Sequence, residues 1–141
     1  MAEFQFCRVE RDGAVLTITI DRPHVLNALH PPAHAELARA FDLYAGDPEL
    51  RVAILTGAGE RAFCVGSDLK ARSELGRDEF PPSGFAGITT RFDLWKPVIA
   101  AVNGLAFVPK RARMRSANSR IVISCGLPMF VGSCSSDCIS R

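Results

Sequence analysis

Two apolar segments of this chain end at glycines in a way that could present backbone N–H groups to one carbonyl oxygen. They are FCVGSDLK, residues 63–70, and KPVIAAVNGLAF, residues 96–107. In the first segment, Gly66 has no Cβ and lets a ligand approach the backbone closely. Ser67 follows at the start of a predicted helix, where an N–H group has no partner within the helix and can stabilise a developing negative oxygen. The Ser67 N–H is therefore a candidate catalytic donor, and an ordinary strand-to-helix turn is the alternative.

The elements that would position this turn alternate between strands and helices. Asp12-Gly13, followed by alternating apolar residues over 14–20, predicts a β-hairpin. Two prolines and apolar residues at helical spacing predict one amphipathic helix that begins at Pro31 and ends at Gly46-Asp47-Pro48. The remaining predictions are a buried strand over 52–56, a loop with helical pieces over 70–90, a helix over 89–95, and a buried strand over 98–102 that turns at Asn103-Gly104. This order of strands and helices predicts an α/β architecture.

Composition excludes several classes of protein. The chain has 141 residues, 48% of them hydrophobic and 23% charged, which is typical of one globular domain rather than of a disordered or fibrous chain. We find no secretory signal and no apolar run of the roughly 20 residues that span a bilayer, so we expect a cytoplasmic protein without a membrane partner. The five cysteines are an odd number, and Cys125, Cys134 and Cys138 match no zinc spacing, so neither disulfides nor a metal site are predicted.

Charge divides the chain after Phe107. Residues 1–107 contain 11 Lys/Arg and 14 Asp/Glu, whereas residues 108–141 contain 6 Lys/Arg and one Asp/Glu. Apolar periodicity also becomes less clear after this point. We therefore predict an N-terminal part over 1–107 and a divergent, irregular basic tail over 108–141, which is either flexible or derived from an altered reading frame. Arginines without interleaved aromatic residues are not specific for nucleic acid, so no nucleic-acid partner is expected.

Three segments stand in order along the first part of the chain: DRPHVLNAL at 21–29, RVAILTGAGERAFCVGSDLK at 51–70 and KPVIAAVNGLAF at 96–107. Together they resemble the enoyl-CoA hydratase/isomerase family, also called the crotonase family. The resemblance implies a crotonase-like spiral of ββα units, incomplete in this chain. It also implies an acyl-CoA substrate, with coenzyme A as part of that substrate and no other cofactor, and an oxyanion hole made of two peptide N–H groups.

Applied to this sequence, the resemblance makes the Ser67 backbone N–H the first oxyanion donor. It also implies a set of residues that line the coenzyme A site, and these are His24, Val25, Val65, Gly66, Asp68, Leu69, Lys70 and Gly104. For His24, a solvated loop position is an equally good explanation. His30 and His34 are predicted to lie on the surface.

The chain departs from the family where the second oxyanion donor is expected. In place of a glycine run it has Val108, Pro109 and Lys110, and proline has no N–H. Ala112 and Met129 stand where the resemblance implies catalytic glutamates. Loss of one oxyanion donor costs on the order of 10²- to 10³-fold in rate. We therefore expect impaired catalysis, and a family trimer or hexamer compromised by the missing C-terminal half.

Three functions stay open on this basis. The first is the parent reaction, hydration of a 2-enoyl-CoA, impaired in a truncated or frame-altered copy. The second is another reaction of the family, such as isomerisation or thioester hydrolysis. The third is a non-catalytic remnant that binds coenzyme A or a protein partner. Nothing in the sequence predicts the acyl-chain length.

Overall fold

The computed structural model describes residues 3–76, 79–107 and 121–125. Its strands and α-helices are β1 (Cys7–Asp12), β2 (Val15–Ile20), α1 (Pro31–Gly46), β3 (Val52–Gly57), β4 (Ala62–Cys64), α2 (Leu69–Leu75), β5 (Val98–Val102), β6 (Leu105–Ala106) and β7 (Ile121–Cys125). Short 3-10 helices at Pro23–Val25 and Phe85–Gly87 lie in two of the loops. The α/β prediction is confirmed.

The main sheet brings the loops of the candidate site to one edge. Its strand order is β1-β2-β3-β5-β7, in which only the β1–β2 hairpin pair is antiparallel. The carboxyl ends of β2, β3 and β5 therefore meet at the same edge. Beyond this edge, β4 and β6 form a separate parallel pair with Ala62 opposite Leu105 and Cys64 opposite Ala106. The two glycine-ended segments of the sequence thus lie side by side.

The core lies between this sheet and α1. In β2, every second side chain points inward because the side-chain period of a strand is two. The largest fully buried side chains of these two elements are Ile18, Ile20, Leu37, Phe41 and Tyr44. Each such apolar side chain contributes about 1.5 to 3 kcal/mol when it is removed from water. The Tyr44 hydroxyl donates a hydrogen bond to Pro97 O at 2.7 Å, so the polar end of this side chain is also satisfied.

Most elements predicted from the sequence are confirmed, including the hairpin, α1 and the strands at 52–56 and 98–102, although only Val98 of β5 is fully buried. The helix predicted over 89–95 is wrong. This segment follows the 3-10 helix and runs along α1, because Arg91 donates to Ala38 O and Lys96 donates to Tyr44 O. These side chains satisfy carbonyl groups of a neighbouring element, which local periodicity does not encode.

The prediction of an irregular tail is wrong over Ile121–Cys125, which form β7 parallel to β5 with Ile121 opposite Val98. Residues 108–120 and 126–141 lie outside the described residues, so the remainder of that prediction and the boundary after Phe107 stay predictions. Within the described ranges, neither α-helix combines the length and the apolar character that crossing a membrane requires.

Candidate active site

The turn after β4 directs the Ser67 N–H away from Leu29. Gly66 has a φ of +96°, in the left-handed region that favours glycine. Leu29 N donates to Gly66 O at 2.8 Å, and Asp68 N donates to Leu29 O at 2.8 Å, which is the pattern of a parallel bridge between Leu29 and Ser67. In such a bridge the central residue of the second strand points its own N–H to the opposite side. No residue in the described part of the chain accepts a hydrogen bond from Ser67 N.

Asp68 holds the far end of this turn. Its Oδ1 accepts hydrogen bonds from the Lys70 N–H at 3.1 Å and the Ala71 N–H at 3.4 Å, so it caps α2. Its Oδ2 lies 3.1 Å from Arg22 Nη1, and the two side chains are only 14% and 9% exposed. Burial opposes ionisation, but the hydrogen bonds from Ala71 N–H and Arg22 outweigh it and lower the pKa of Asp68 below its usual 3.8.

This lowered pKa predicts how stability depends on pH. A carboxyl group with a lower pKa in the folded than in the unfolded state stabilises the fold above its unfolded pKa, and this stability is lost as the pH falls through the folded value. Asp68→Asn keeps a capping oxygen but loses the charge. We therefore expect the variant to be less stable than the wild type at pH 7, and the difference to shrink as the pH falls below about 4.

Urea unfolding between pH 7 and pH 3 measures this difference. Asp21→Asn is the control, because the salt bridge of Asp21 with Arg8 is more exposed than that of Asp68 with Arg22, and exposed pairs contribute little to stability. A stability difference between Asp68→Asn and wild type that stays constant over this pH range would contradict the prediction.

Two asparagine side chains tie the loops at this edge together. Asn27 is fully buried with a φ of +58°, and its Oδ1 accepts from Arg22 N at 3.0 Å. Its Nδ2 donates to Ala58 O at 3.0 Å and to Ala62 O at 2.8 Å. Asn103 Nδ2 donates to Gly57 O at 2.7 Å. Both asparagines lie in the segments that carried the resemblance, but their bonds between loops were not predicted from the sequence.

Gly104 is required by packing. A Cβ at this position would lie 2.7 Å from the Arg61 carbonyl carbon and 2.8 Å from Ala62 N. The turn after β5 can therefore approach the start of β4 only with glycine at residue 104. This close approach sets the β4–β6 pairing, and the predicted contact of Gly104 with coenzyme A stays a prediction.

The other predicted coenzyme A residues fall into two groups. Val65, Gly66, Asp68, Leu69 and Lys70 are contiguous in the turn and the first turn of α2, where the Leu69 and Lys70 side chains are exposed.

The second group is His24 and Val25, in the 3-10 helix after β2, where His24 is exposed and Val25 is half-buried. The adjacent Arg22 joins this loop to the turn through Asp68. The exposure of His24 is compatible with both explanations given for it.

The surface positions predicted for His30 and His34 are wrong. His34 is 2% exposed, and its Nδ1 accepts a hydrogen bond from the Ala86 N–H at 3.0 Å. The Phe80 and Phe85 rings pack edge-on against it. His30 is half-buried against the Phe6 ring at a centroid distance of 4.5 Å, and burial lowers its pKa below 6.5. The neighbouring prolines marked a helix start but did not reveal the packing around it.

Phe107 borders the turn on the side of β6. Its N–H donates to Cys64 O at 2.9 Å, and its ring Cδ1 lies 3.4 Å from the point that a Cβ on Gly66 would occupy. The Phe107 N–H is therefore already paired and is not a second donor. Val108, Pro109 and Lys110, where the loss of that donor is predicted, lie outside the described residues, as do Ala112 and Met129.

No group of three or more His, Cys, Asp or Glu side chains suited to a metal ion occurs over 3–76 and 79–107. Cys134 and Cys138, which entered the prediction of no zinc site, lie outside the described ranges, and nothing is described of the Cys125 side chain beyond its place in β7.

Fold and site together define an α/β protein in which a glycine turn between a short strand and a helix presents one backbone N–H. The sequence model of the family described as enoyl-CoA hydratase/isomerase matches residues 10–108. The chain belongs to the enoyl-CoA hydratase/isomerase family. Its crotonase-like fold, predicted from the resemblance, is confirmed.

Individual relatives agree with this assignment. The chain is 52% identical over 102 residues to the carnitinyl-CoA dehydratase of Salmonella arizonae, a match that covers 71% of this chain and 39% of that protein. A carnitinyl-CoA hydratase structure from Mycobacterium avium has a TM-score of 0.67 and 42% identity, over 72% of this chain and 40% of that one.

A probable enoyl-CoA hydratase/isomerase structure from Mycobacterium abscessus has a TM-score of 0.71 and 35% identity, over 89% of this chain and 46% of that one. The chain thus spans less than half the length of these relatives.

Proposed function

We propose that this protein binds an acyl-CoA thioester and polarises the thioester carbonyl through the Ser67 backbone N–H, while its turnover of 2-enoyl-CoA to the hydrated product is impaired. The observation that carries the proposal is the direction of this N–H. The bridge points it away from Leu29, and no described residue accepts a hydrogen bond from it. Relatives named carnitinyl-CoA dehydratase and carnitinyl-CoA hydratase support a coenzyme A thioester as the ligand.

Several residues of the turn would each contact a different part of the ligand. The Ser67 N–H would donate to the thioester oxygen, and Gly66 would let the thioester approach because it has no side chain. The exposed Lys70 ammonium would lie near coenzyme A phosphate, and the exposed Leu69 would cover its pantetheine arm. We propose no cofactor beyond the coenzyme A of the substrate itself.

Impaired turnover is proposed because the site would lack both a second N–H donor and a free carboxylate for proton transfer. Pro109, at the position expected for the second donor, has no N–H, and the loss of one such donor costs on the order of 10²- to 10³-fold in rate. Hydration also needs a carboxylate that moves a proton, and Asp68 is engaged with Arg22 and the start of α2. Because the Asp68 carboxylate is occupied in this way, a non-catalytic remnant that binds coenzyme A or a partner is the second candidate.

A cytoplasmic location, the absence of membrane and nucleic-acid partners, and a weakened family trimer or hexamer stay predictions of the sequence.

Two measurements test the proposal. Thermal unfolding is followed with butyryl-CoA, with crotonyl-CoA and with free coenzyme A, and an absorbance assay follows the turnover of crotonyl-CoA. Because a ligand that binds only the folded state raises its stability, we expect both thioesters to raise Tm. In the absorbance assay, we expect the double bond of crotonyl-CoA to be hydrated slowly or not at all. Stabilisation without any turnover favours the remnant.

Ser67→Ala and Ser67→Pro form a matched pair for this experiment, because only proline removes the N–H. We expect Ser67→Ala to bind butyryl-CoA like the wild type. Ser67→Pro should bind about 2- to 10-fold more weakly, which corresponds to one net hydrogen bond. The absence of any stabilisation of the folded wild type by butyryl-CoA would contradict the proposal.

A further inference from the structure

We propose that Arg22 is a positioning residue that fixes the direction of the Ser67 N–H by holding both sides of the turn through its guanidinium group. This inference rests on the proposed function, because it concerns how the same donor is aimed at a thioester. Arg22 itself lies between β2 and the 3-10 helix at Pro23–Val25, outside the turn, and is not expected to touch the ligand.

One guanidinium nitrogen connects the two chain segments of the bridge. Arg22 Nη1 donates to Ala28 O and lies 3.1 Å from Asp68 Oδ2. Ala28 directly precedes Leu29, and Asp68 directly follows Ser67. Arg22 therefore fixes the two segments next to the residues that form the bridge.

The amides on either side of Ser67 are both paired. Gly66 N donates to Cys64 Sγ at 3.4 Å, and Asp68 N donates to Leu29 O at 2.8 Å. Ser67 N lies between these two donors and points away from Leu29. A change that separates Ala28 from Asp68 would release the Leu29 bonds and let the peptide between Gly66 and Ser67 rotate. The direction of the Ser67 N–H therefore depends on the contact between Arg22 and Asp68.

Burial makes this contact rigid. The Arg22 and Asp68 side chains are 9% and 14% exposed, and the Arg22 guanidinium carbon lies 5.9 Å from the centroid of the Phe6 ring. The Arg22 N–H is bonded to Asn27 Oδ1, which fixes the backbone from which the side chain extends. A buried pair of this kind is strongly disturbed when one partner is removed, because the other charge is left without a counter-charge.

Arg91 offers a matched control. Its side chain is 7% exposed, and it also donates to one backbone carbonyl, Ala38 O, and to the carboxylates of Asp42 and Asp93. Arg91 packs against α1 and has no contact with the turn among the described residues. Arg91→Gln therefore removes a similar buried cation without changing what holds Ser67.

The test is isotope-edited infrared spectroscopy of butyryl-CoA that carries ¹³C at the thioester carbonyl. A hydrogen bond to this oxygen lowers the carbonyl stretching frequency, so the spectrum reports the Ser67 N–H directly, and calorimetry with free coenzyme A reports binding of the remainder of the ligand. We expect the wild type and Arg91→Gln to show the shift. Arg22→Gln should lose most of it, with affinity for butyryl-CoA reduced about 2- to 10-fold and affinity for free coenzyme A unchanged.

Asp68→Asn decides the question if Arg22→Gln does not fold, because it keeps the cap of α2 and loses only the charged partner of Arg22. It should also lose most of the shift. A full carbonyl shift in folded Arg22→Gln or in Asp68→Asn overturns this inference alone, and so does an equal loss in Arg91→Gln. A wild type that binds no butyryl-CoA overturns the proposed function, and this inference with it.

Discussion

Replacing Asn27 by alanine should lower the free energy of unfolding by about 4 kcal/mol, because each buried polar group left without a partner costs about 1 to 3 kcal/mol. The substitution removes the partner of the Arg22 N–H and of two carbonyl groups, those of Ala58 and Ala62. The φ of +58° at this residue adds to the cost, since alanine is disfavoured in the left-handed region that asparagine tolerates.

Equilibrium urea unfolding followed by circular dichroism measures this loss. Asn27→Gly is the matched control, because glycine removes the same hydrogen bonds but adopts a positive φ without strain. We expect Asn27→Gly to be more stable than Asn27→Ala by about 1 kcal/mol. A loss below about 1 kcal/mol for Asn27→Ala would mean that water replaces the side chain, contrary to the burial described above.

Gly57→Ala should cost about 3 kcal/mol, at the upper end of what overpacking usually costs. The added Cβ would overlap Phe63 O and would lie 2.6 Å from Ala62 O and 2.8 Å from Asn27 Nδ2. Two of these atoms belong to the backbone of β4 and cannot turn aside as a flexible side chain can. We therefore expect β4 to move and its pairing with β6 to weaken.

Thermal and urea unfolding of Gly57→Ala, compared with Gly46→Ala, tests this expectation. Gly46 ends α1 and has no atom within 4 Å of the position of an added Cβ. Alanine is favoured over glycine in a helix by about 1 kcal/mol, so Gly46→Ala should be as stable as the wild type or more so. Equal stability of the two variants would show that β4 can move away from β3 at little cost.

The elements predicted correctly from the sequence are those whose signal is local. Asp12-Gly13 sets the hairpin, and the prolines at the start of α1 set where that helix begins, each within a few residues. In β2, the alternating Leu16, Ile18 and Ile20 share one face, which is buried in the structure, because a strand has a side-chain period of two. In each of these cases, neighbours along the chain determine the structure.

The features that were missed depend on partners distant in sequence. Arg91 and Lys96 extend along α1 because they bond to groups about 50 residues earlier, and this removed the helix predicted at 89–95. His34 is buried because the loop at Ala86 returns to cover it. No periodicity over a short window records such contacts.

The candidate site shows the same division. Gly66 and Ser67 were singled out as a turn that could present an N–H, and the structure places Ser67 N without a partner in the part of the chain that it describes. The bridge to Leu29 and the contact of Arg22 with Asp68 join residues about 40 positions apart and were not predictable from either segment alone.

The parallel bridge has a consequence for which substitutions the site tolerates. Since the donor belongs to the main chain and is aimed by its neighbours, the side chain at residue 67 is free to differ, and serine, alanine or any residue other than proline preserves the same N–H. Substitution is not tolerated in the same way at Gly66, one residue earlier. Another residue there would have to adopt a φ of +96°, and its side chain would lie against the Phe107 ring. Natural drift can therefore alter the surface beside residue 67 while the direction of the N–H is inherited unchanged.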